Sequence, residues 1–426
     1  MSNSFASVSN RAHATPLKLT ELDFSLSARG AQVRDQLAAF LDECVMPQEQ
    51  ALSAQMDALN GPEPFAPLML ELRAEARQRG LWNLFLADPV HGAGLSNVDY
   101  GHVCELIGRS PWAPMVFNCN YPDSGNMELL LDHATAKQRT ELLDPLFAGD
   151  IRSCFAMTEP EVASSDPTGI RTTARLDGDE WVIDGHKWFI SFAIGAKFCL
   201  TIVGTDPDNE AHQRFSLIAV PMDAKGLEVV RRVPIFGHAG GPGHAELRFS
   251  NVRVPADALI AKRGMGFQLA QDRLGPGRIH HAMRALGMAE RALELGCERA
   301  LSRKLKDGVL ADTQMIRDFI AISRMELDAA RLLVLRAART IDLYGKHKSY
   351  RDISIAKVFI AQRAQEIIDR SIQIHGAKGI SDDTPLAELF VNIRGLLRIG
   401  DGPDEVHKLT IAKQELKRFT HPASKV

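Results

Sequence analysis

The chain has no apolar run approaching the length of a membrane span. It has no excess of either charge: the net charge is -3 over 426 residues. No long-range field therefore draws it to nucleic acid or anionic lipid, and any phosphate-bearing ligand must be held by a local site. Six cysteines (Cys44, Cys104, Cys119, Cys154, Cys199 and Cys297) are scattered, with no C-x-x-C pair and no metal-like spacing. That pattern offers no metal centre and fits reduced, mostly buried thiols in a reducing compartment. The first 20 residues have no apolar h-region, so no secretory signal is read there. The expectation is a cytoplasmic protein, or a mitochondrial or peroxisomal one in a eukaryote.

With 45% hydrophobic and 24% charged residues, the composition is globular, and the length suggests about three domains. Residues 29–46 place Val33, Leu37, Phe40, Leu41 and Val45 at helical spacing up to Pro47, and Phe65, Leu68, Met69, Leu72 and Ala76 repeat it before Gly80. Residues 110–126, rich in Pro, Asn and Gly, read as irregular. From about residue 152 the period shortens. Thr172–Leu176, Trp181–Ile183, Phe198–Val203, Phe215–Val220, Leu227–Val233 and Ala245–Phe249 read as strands of a small antiparallel sheet or barrel, with Asp177-Gly178 as a hairpin turn. The glycine-rich Gly237–His244 loop opens no helix, so no dinucleotide or P-loop fingerprint applies. After Pro255 the segments Gln268–Ser302, Thr313–Tyr344, Ile353–Ile374 and Glu405–Phe419 read as a four-helix bundle. The fold class is α+β: a helical domain over 25–150, a β domain over 151–260 and a helical bundle over 265–420.

Two stretches in the β domain stand out. The first runs from Arg152 to Asp166 and contains Phe155-Ala156-Met157-Thr158-Glu159-Pro160; the second is Gly185-His186-Lys187-Trp188-Phe189-Ile190-Ser191. Hydroxyl residues beside a Pro turn can aim backbone N–H groups and side-chain oxygens at one polar ligand. Near the C-terminus, Ile399-Gly400-Asp401-Gly402-Pro403-Asp404-Glu405 reads either as an ordinary turn starting the last helix or as a carboxylate held at a site.

In this order and spacing, the stretches resemble the acyl-CoA dehydrogenase family, and the resemblance covers nearly the whole chain. The wording is nearest to its branch linked to long-chain and 4-hydroxyacyl-CoA substrates. The resemblance implies FAD as cofactor and α,β-desaturation of a CoA thioester, with electrons passed to an electron-transfer flavoprotein. It makes Asp401 the base, where the family usually has Glu. It places Phe155, Met157 and Thr158 along the flavin, Phe189 against the isoalloxazine and Ser191 near N5. It puts Ser165 and Arg278 near the substrate, although the 158–166 motif carries one extra residue and lacks both usual glycines. Arg303 and the Gln373-Ile374-His375-Gly376-Ala377 turn would reach the FAD of a neighbouring subunit, which implies a homodimer or homotetramer. Three other readings share this fold: a nitroalkane-oxidase-like enzyme, also with an Asp base, an acyl-CoA oxidase, and a flavin-retaining DNA-binding relative. The last would need a basic C-terminal face, and Lys408, Lys413, Lys417 and Arg418 form only a modest one among acids. No metal is implied.

Overall fold

Burial at helical period organises the first third of the chain, seen here in a computed structural model that describes residues 21–59, 63–237, 243–417 and 419. The first 20 residues, the middle of the Gly237–His244 loop and Arg418 lie outside the described residues. Helix α1 (Ala28–Phe40) is capped by Ser27 and buries Val33, Leu37 and Phe40. A π turn over Leu41–Val45 and a 3-10 turn at Pro47 lead into α2 (Glu49–Asp57), which the pattern had not resolved. Helix α3 (Pro67–Gln78) begins on a proline and is followed by Gly80 at φ +71°. Helix α4 (Asn97–Ile107) is tied to α1 through Asp99, whose carboxylate accepts from the Ser27 backbone and hydroxyl, each at 2.8 Å. Residues 110–126 are not wholly irregular: they contain the one-turn α5 (Ala113–Val116) and the start of α6 (Asp123–His133). The short helices α7 (Ala136–Gln138) and α8 (Asp144–Ala148) close the domain at Gly149.

Among the described residues seven strands follow: β1 (Ser153–Ala156), β2 (Thr173–Asp177), β3 (Glu180–Ser191), β4 (Phe198–Gly204), β5 (Phe215–Pro221), β6 (Leu227–Arg232) and β7 (His244–Pro255). Their order is β1-β4-β2-β3-β7-β6, with β5 also on β4. The sheet is mixed rather than purely antiparallel, because β1 and β2 both pair with β4 in parallel. Hydrophobic alternation marks a strand but not its direction, and four-residue β1 is too short to show even that. Asp177-Gly178 does turn the β2–β3 hairpin, with Gly178 at φ +67°. Period-two alternation gives β4 two cores: Phe198, Leu200 and Ile202 face the helices, while Cys199 and Val203 face the sheet's own interior.

The last third is helical: α9 (Gly266–Ser302), α10 (Gln314–Tyr344), α11 (Tyr350–His375), the short α12 (Leu386–Asn392) and α13 (Asp404–Lys417). The four long segments were legible; α12 and the π turn after it (Ile393–Leu397) were not. Helix α4 crosses α9 at glycines, since an added Cβ at Gly287 would lie 1.8 Å from the Glu105 carbonyl oxygen. Among the described residues, no helix is long and apolar enough to cross a membrane. Nor is there a metal-holding group of His, Cys, Asp and Glu.

His280 on α9 is buried edge-on to Tyr100, at 4.8 Å between ring centroids. Burial, reinforced by Arg284 and His281, pushes its pKa down to about 3. The unfolded chain keeps a histidine pKa of about 6.5 and so binds the extra proton first. Stability is therefore full above pH 6.5 and falls as the pH drops towards 3, by up to about 1.4 kcal/mol per unit. Urea unfolding from pH 7 to 4 should show this slope, and His280→Phe should flatten it.

Candidate active site

The turn before α13 holds its aspartate in the left-handed region, which few residues other than glycine, asparagine and aspartate adopt. Asp401 has φ +53° and Gly402 φ +101°. Three side chains from two long helices and α13 fix it there. Arg278 donates from Nε to the Asp401 carbonyl oxygen at 2.8 Å, and His407 Nε2 lies 3.3 Å from the same oxygen. Lys357 donates from Nζ to the Gly402 carbonyl. Asp404, the first residue of α13, accepts from Arg398 Nε at 2.6 Å and locks the exit. The Asp401 carboxylate rests against α9, where a Cβ at Gly277 would lie 2.9 Å from Oδ2. The same Oδ2 is 3.3 Å from His281 Nε2. Burial pushes the Asp401 carboxyl up, but the His281 hydrogen bond and the charges of Arg273 and Arg278 outweigh it, and the net direction is down. Asp401 is a carboxylate at neutral pH. Its own N–H has no protein acceptor among the described residues.

Across from this turn, the chain leaving β1 is clamped from below. Lys187 Nζ donates to the Met157 carbonyl at 2.9 Å, and the Trp188 N–H donates to the Thr158 carbonyl at 3.1 Å. Buried Glu159 accepts from the backbone N–H groups of Arg171 and Thr172, the Thr172 hydroxyl and Lys187 Nζ, all between 2.5 and 2.9 Å. A register shift between Lys187 and Ile190 breaks the β3–β7 ladder. It leaves Phe189 at φ +51° and 42% exposed, a costly backbone and an unsheltered aromatic ring together. Ser191 Oγ lies 3.0 Å from His244 Nδ1, and burial pushes His244 down to about 4. The Thr158 hydroxyl has no protein partner among the described residues. An open aromatic face flanked by hydroxyl groups suits a planar heteroaromatic ring with polar edges, and the isoalloxazine of FAD fits this donor set.

A cavity of about 200 Å³ lies between the two walls, lined by Tyr121, Phe192, His244, His281 and Arg284 among others. The Tyr121 ring sits 5.5 Å from that of Phe192 and 5.0 Å from that of His281, which joins the end of β3 to the partner of Asp401. Arg284 is buried, donates to His281 Nδ1 at 3.2 Å, and pairs with no carboxylate among the described residues. Glu388, also on the lining, is pushed up to about 7 by burial and by Glu49 and Asp57.

Three family models cover the chain in order: the acyl-CoA dehydrogenase N-terminal domain over residues 27–150, the middle domain over 154–252 and the C-terminal domain over 264–416. FadE2 of Mycobacterium tuberculosis, named as an acyl-CoA dehydrogenase, is 45% identical, over 93% of this chain and 98% of its own. The chain belongs to the acyl-CoA dehydrogenase family. Mouse acyl-CoA dehydrogenase family member 10 is 44% identical over 93% of this chain, which spans only 38% of that longer protein. A solved acyl-CoA dehydrogenase-family structure from Mycobacterium abscessus superposes with a TM-score of 0.89, at 45% identity, over 93% of this chain and all of that one. The family is one of FAD-dependent oxidoreductases.

Within this acyl-CoA dehydrogenase fold, the expected site residues fall into two groups. Asp401 and Ser191 each touch a residue of the cavity lining, His281 and His244, and the Phe189 ring lies 6.3 Å from that of His244, while Met157 and Thr158 lie on the clamped segment after β1. Phe155 lies under the Arg273 guanidinium, 4.3 Å from its ring centre. Arg278 is committed to the Asp401 carbonyl and to the Tyr350 hydroxyl at 2.9 Å, so it positions the turn. The second group is elsewhere. Arg303, Gln373, Gly376 and Ala377 are exposed at the far ends of α9 and α11. At 1.5 Å per residue, Arg303 is roughly 37 Å along α9 from Arg278. Ser165 is exposed in a loop shaped by Asp166, which accepts from the Thr168 backbone and hydroxyl. Tyr121, His281 and Arg284 were missed from sequence. His281 and Arg284 sit on an amphipathic helix, and only the turn at Asp401 gives them meaning.

Proposed function

We propose that this chain desaturates an acyl-CoA thioester between Cα and Cβ, with Asp401 taking the α-proton. One observation carries the reading: an ionised carboxylate, fixed in a left-handed turn, is bonded to His281, which lines the same cavity as His244, the partner of Ser191. FAD, when bound, supplies the acceptor for the hydride leaving Cβ. An α-proton is too weakly acidic for a carboxylate unless the charge growing on the thioester oxygen is stabilised. The uncommitted N–H of Asp401 is suited to that oxygen. Only 16% of the Asp401 side chain is exposed, which limits the water that competes for the base.

The lining supports an acyl chain that carries oxygen. A plain alkyl chain would leave the Arg284 guanidinium desolvated and unpaired by any acid, an expensive arrangement. A hydroxyl or anionic group on the chain gives it a partner, in keeping with the 4-hydroxyacyl-CoA wording of the sequence. Arg284→Met is expected to lower kcat/KM for a 4-hydroxyacyl-CoA by about 10- to 100-fold, the value of a hydrogen bond to a charged group. Because Arg284 also bonds His281, the unsubstituted acyl-CoA of equal length should lose rate as well, so the assignment predicts a loss on the 4-hydroxyacyl-CoA about 10-fold greater, and an equal loss on both substrates would refute it.

An electron-transfer flavoprotein is the proposed electron acceptor. The remoteness of Arg303 and Gln373 from the cavity supports a homo-oligomer in which they serve a neighbour's FAD. Anaerobic reduction by acyl-CoA panels, with nitroalkanes as the competing substrates, tests the reading.

A further inference from the structure

A carboxylate has two oxygens, and in Asp401 only one of them is free. His281 Nε2 is 3.3 Å from Oδ2, while its other nitrogen, Nδ1, is 3.2 Å from Arg284 Nη2. A guanidinium can only donate. Nδ1 must therefore accept from Arg284, and the ring hydrogen must sit on Nε2, where it donates to Asp401. Tyr121 packs on the ring at 5.0 Å and, with the two hydrogen bonds, holds it in place.

We propose that His281 is the positioning residue of the base: held as its Nε2–H tautomer by Arg284, it binds Oδ2 and leaves Oδ1 alone to meet the substrate. The inference rests on Asp401 being the base. Proton bookkeeping is simple. The α-proton passes to Oδ1, the C–H electron pair stays with the substrate, and the His281 hydrogen remains on Nε2 before and after. Burial and Arg284 together hold His281 below the usual histidine range, so it acts as a neutral donor and not as a charge. The charged or titratable groups facing the pair are Arg273, Arg278 and Arg284 from α9, Lys357 from α11, His407 and Asp404 from α13, and Tyr121 from the segment before α6. All but Asp404 and Tyr121 are basic, so the surroundings already favour a carboxylate. What they lack without His281 is a donor in contact with it.

The test uses the flavin-loaded full chain and two variants. His281→Phe keeps a ring against Tyr121 but removes the donor; His281→Gln puts an amide N–H near the Nε2 position. The Asp401 carboxyl is titrated by infrared difference spectroscopy against Asp401→Asn, and the anaerobic reduction rate at saturating acyl-CoA is followed against pH. In the Phe variant the Asp401 pKa should rise by about one unit or more, and reduction should slow about 10- to 100-fold with substrate affinity within about threefold. The Gln variant should recover most of both. A Phe variant that titrates and reduces like wild type overturns the proposal, as does a Gln variant as impaired as Phe, which would mark a packing role. If the Phe variant does not fold, His281→Asn, too short to reach Oδ2, takes its place with the same expectations. The infrared titration reads Asp401 whether or not it is the base, so normal reduction by Asp401→Asn would refute the base assignment separately.

Discussion

Asp401→Asn is expected to slow anaerobic flavin reduction by acyl-CoA by about three to four orders of magnitude, the upper range for removing a general base. The change is chemical rather than structural. Asparagine tolerates the left-handed region at least as well as aspartate, and its side-chain oxygen can still accept from His281. The Arg278 and His407 contacts are to the backbone carbonyl and survive the substitution. Flavin content and the thermal midpoint should therefore stay near wild type. Stopped-flow reduction checks this, and a variant retaining more than about a tenth of the wild-type rate would remove Asp401 from the chemistry.

The second large effect is on stability. Glu159→Ala is expected to destabilise the β domain by about 3–5 kcal/mol, the cost of removing one partner of a buried ion pair. The loss would strand Lys187, which is fully buried, and leave the Arg171 and Thr172 N–H groups without their acceptor. Because Lys187 also holds the Met157 carbonyl, the segment carrying Thr158 should loosen, and flavin should dissociate more readily. Thermal unfolding followed by flavin fluorescence measures both effects. The double variant Glu159→Leu with Lys187→Met, which removes both charges, should recover part of the lost stability, since apolar replacement of a whole buried pair is often neutral or better. A single variant as stable as wild type would show that the clamp is dispensable.

Much of this was written plainly in the chain. The change of period from helix to strand and back marks the three parts, because one buried stripe recurs every 3.6 residues on a helix and every two on a strand. Asp401 stood out through the family resemblance, since Asp-Gly-Pro alone is ordinary turn chemistry, and Glu159 lies inside the motif that drew notice first. Three things were hidden for definite reasons. The parallel pairing of β1 with β4 depends on long-range register, which a four-residue strand does not encode. The π turns at Leu41–Val45 and Ile393–Leu397 keep helical spacing and so leave no mark in the pattern. His281 and Arg284 look like ordinary residues of α9. Their proposed roles come from a turn that is distant in sequence, and the Tyr121 ring on the cavity lining lies in a stretch expected to be irregular.

The most direct measurement is an anaerobic titration of the purified protein with acyl-CoA thioesters, plain and oxygenated, and with nitroalkanes, read at the flavin absorbance band. Bleaching by an acyl-CoA, with release of the α,β-unsaturated thioester, is the predicted result. Bleaching by nitroalkanes alone, or bound flavin that no acyl-CoA reduces, would contradict the account.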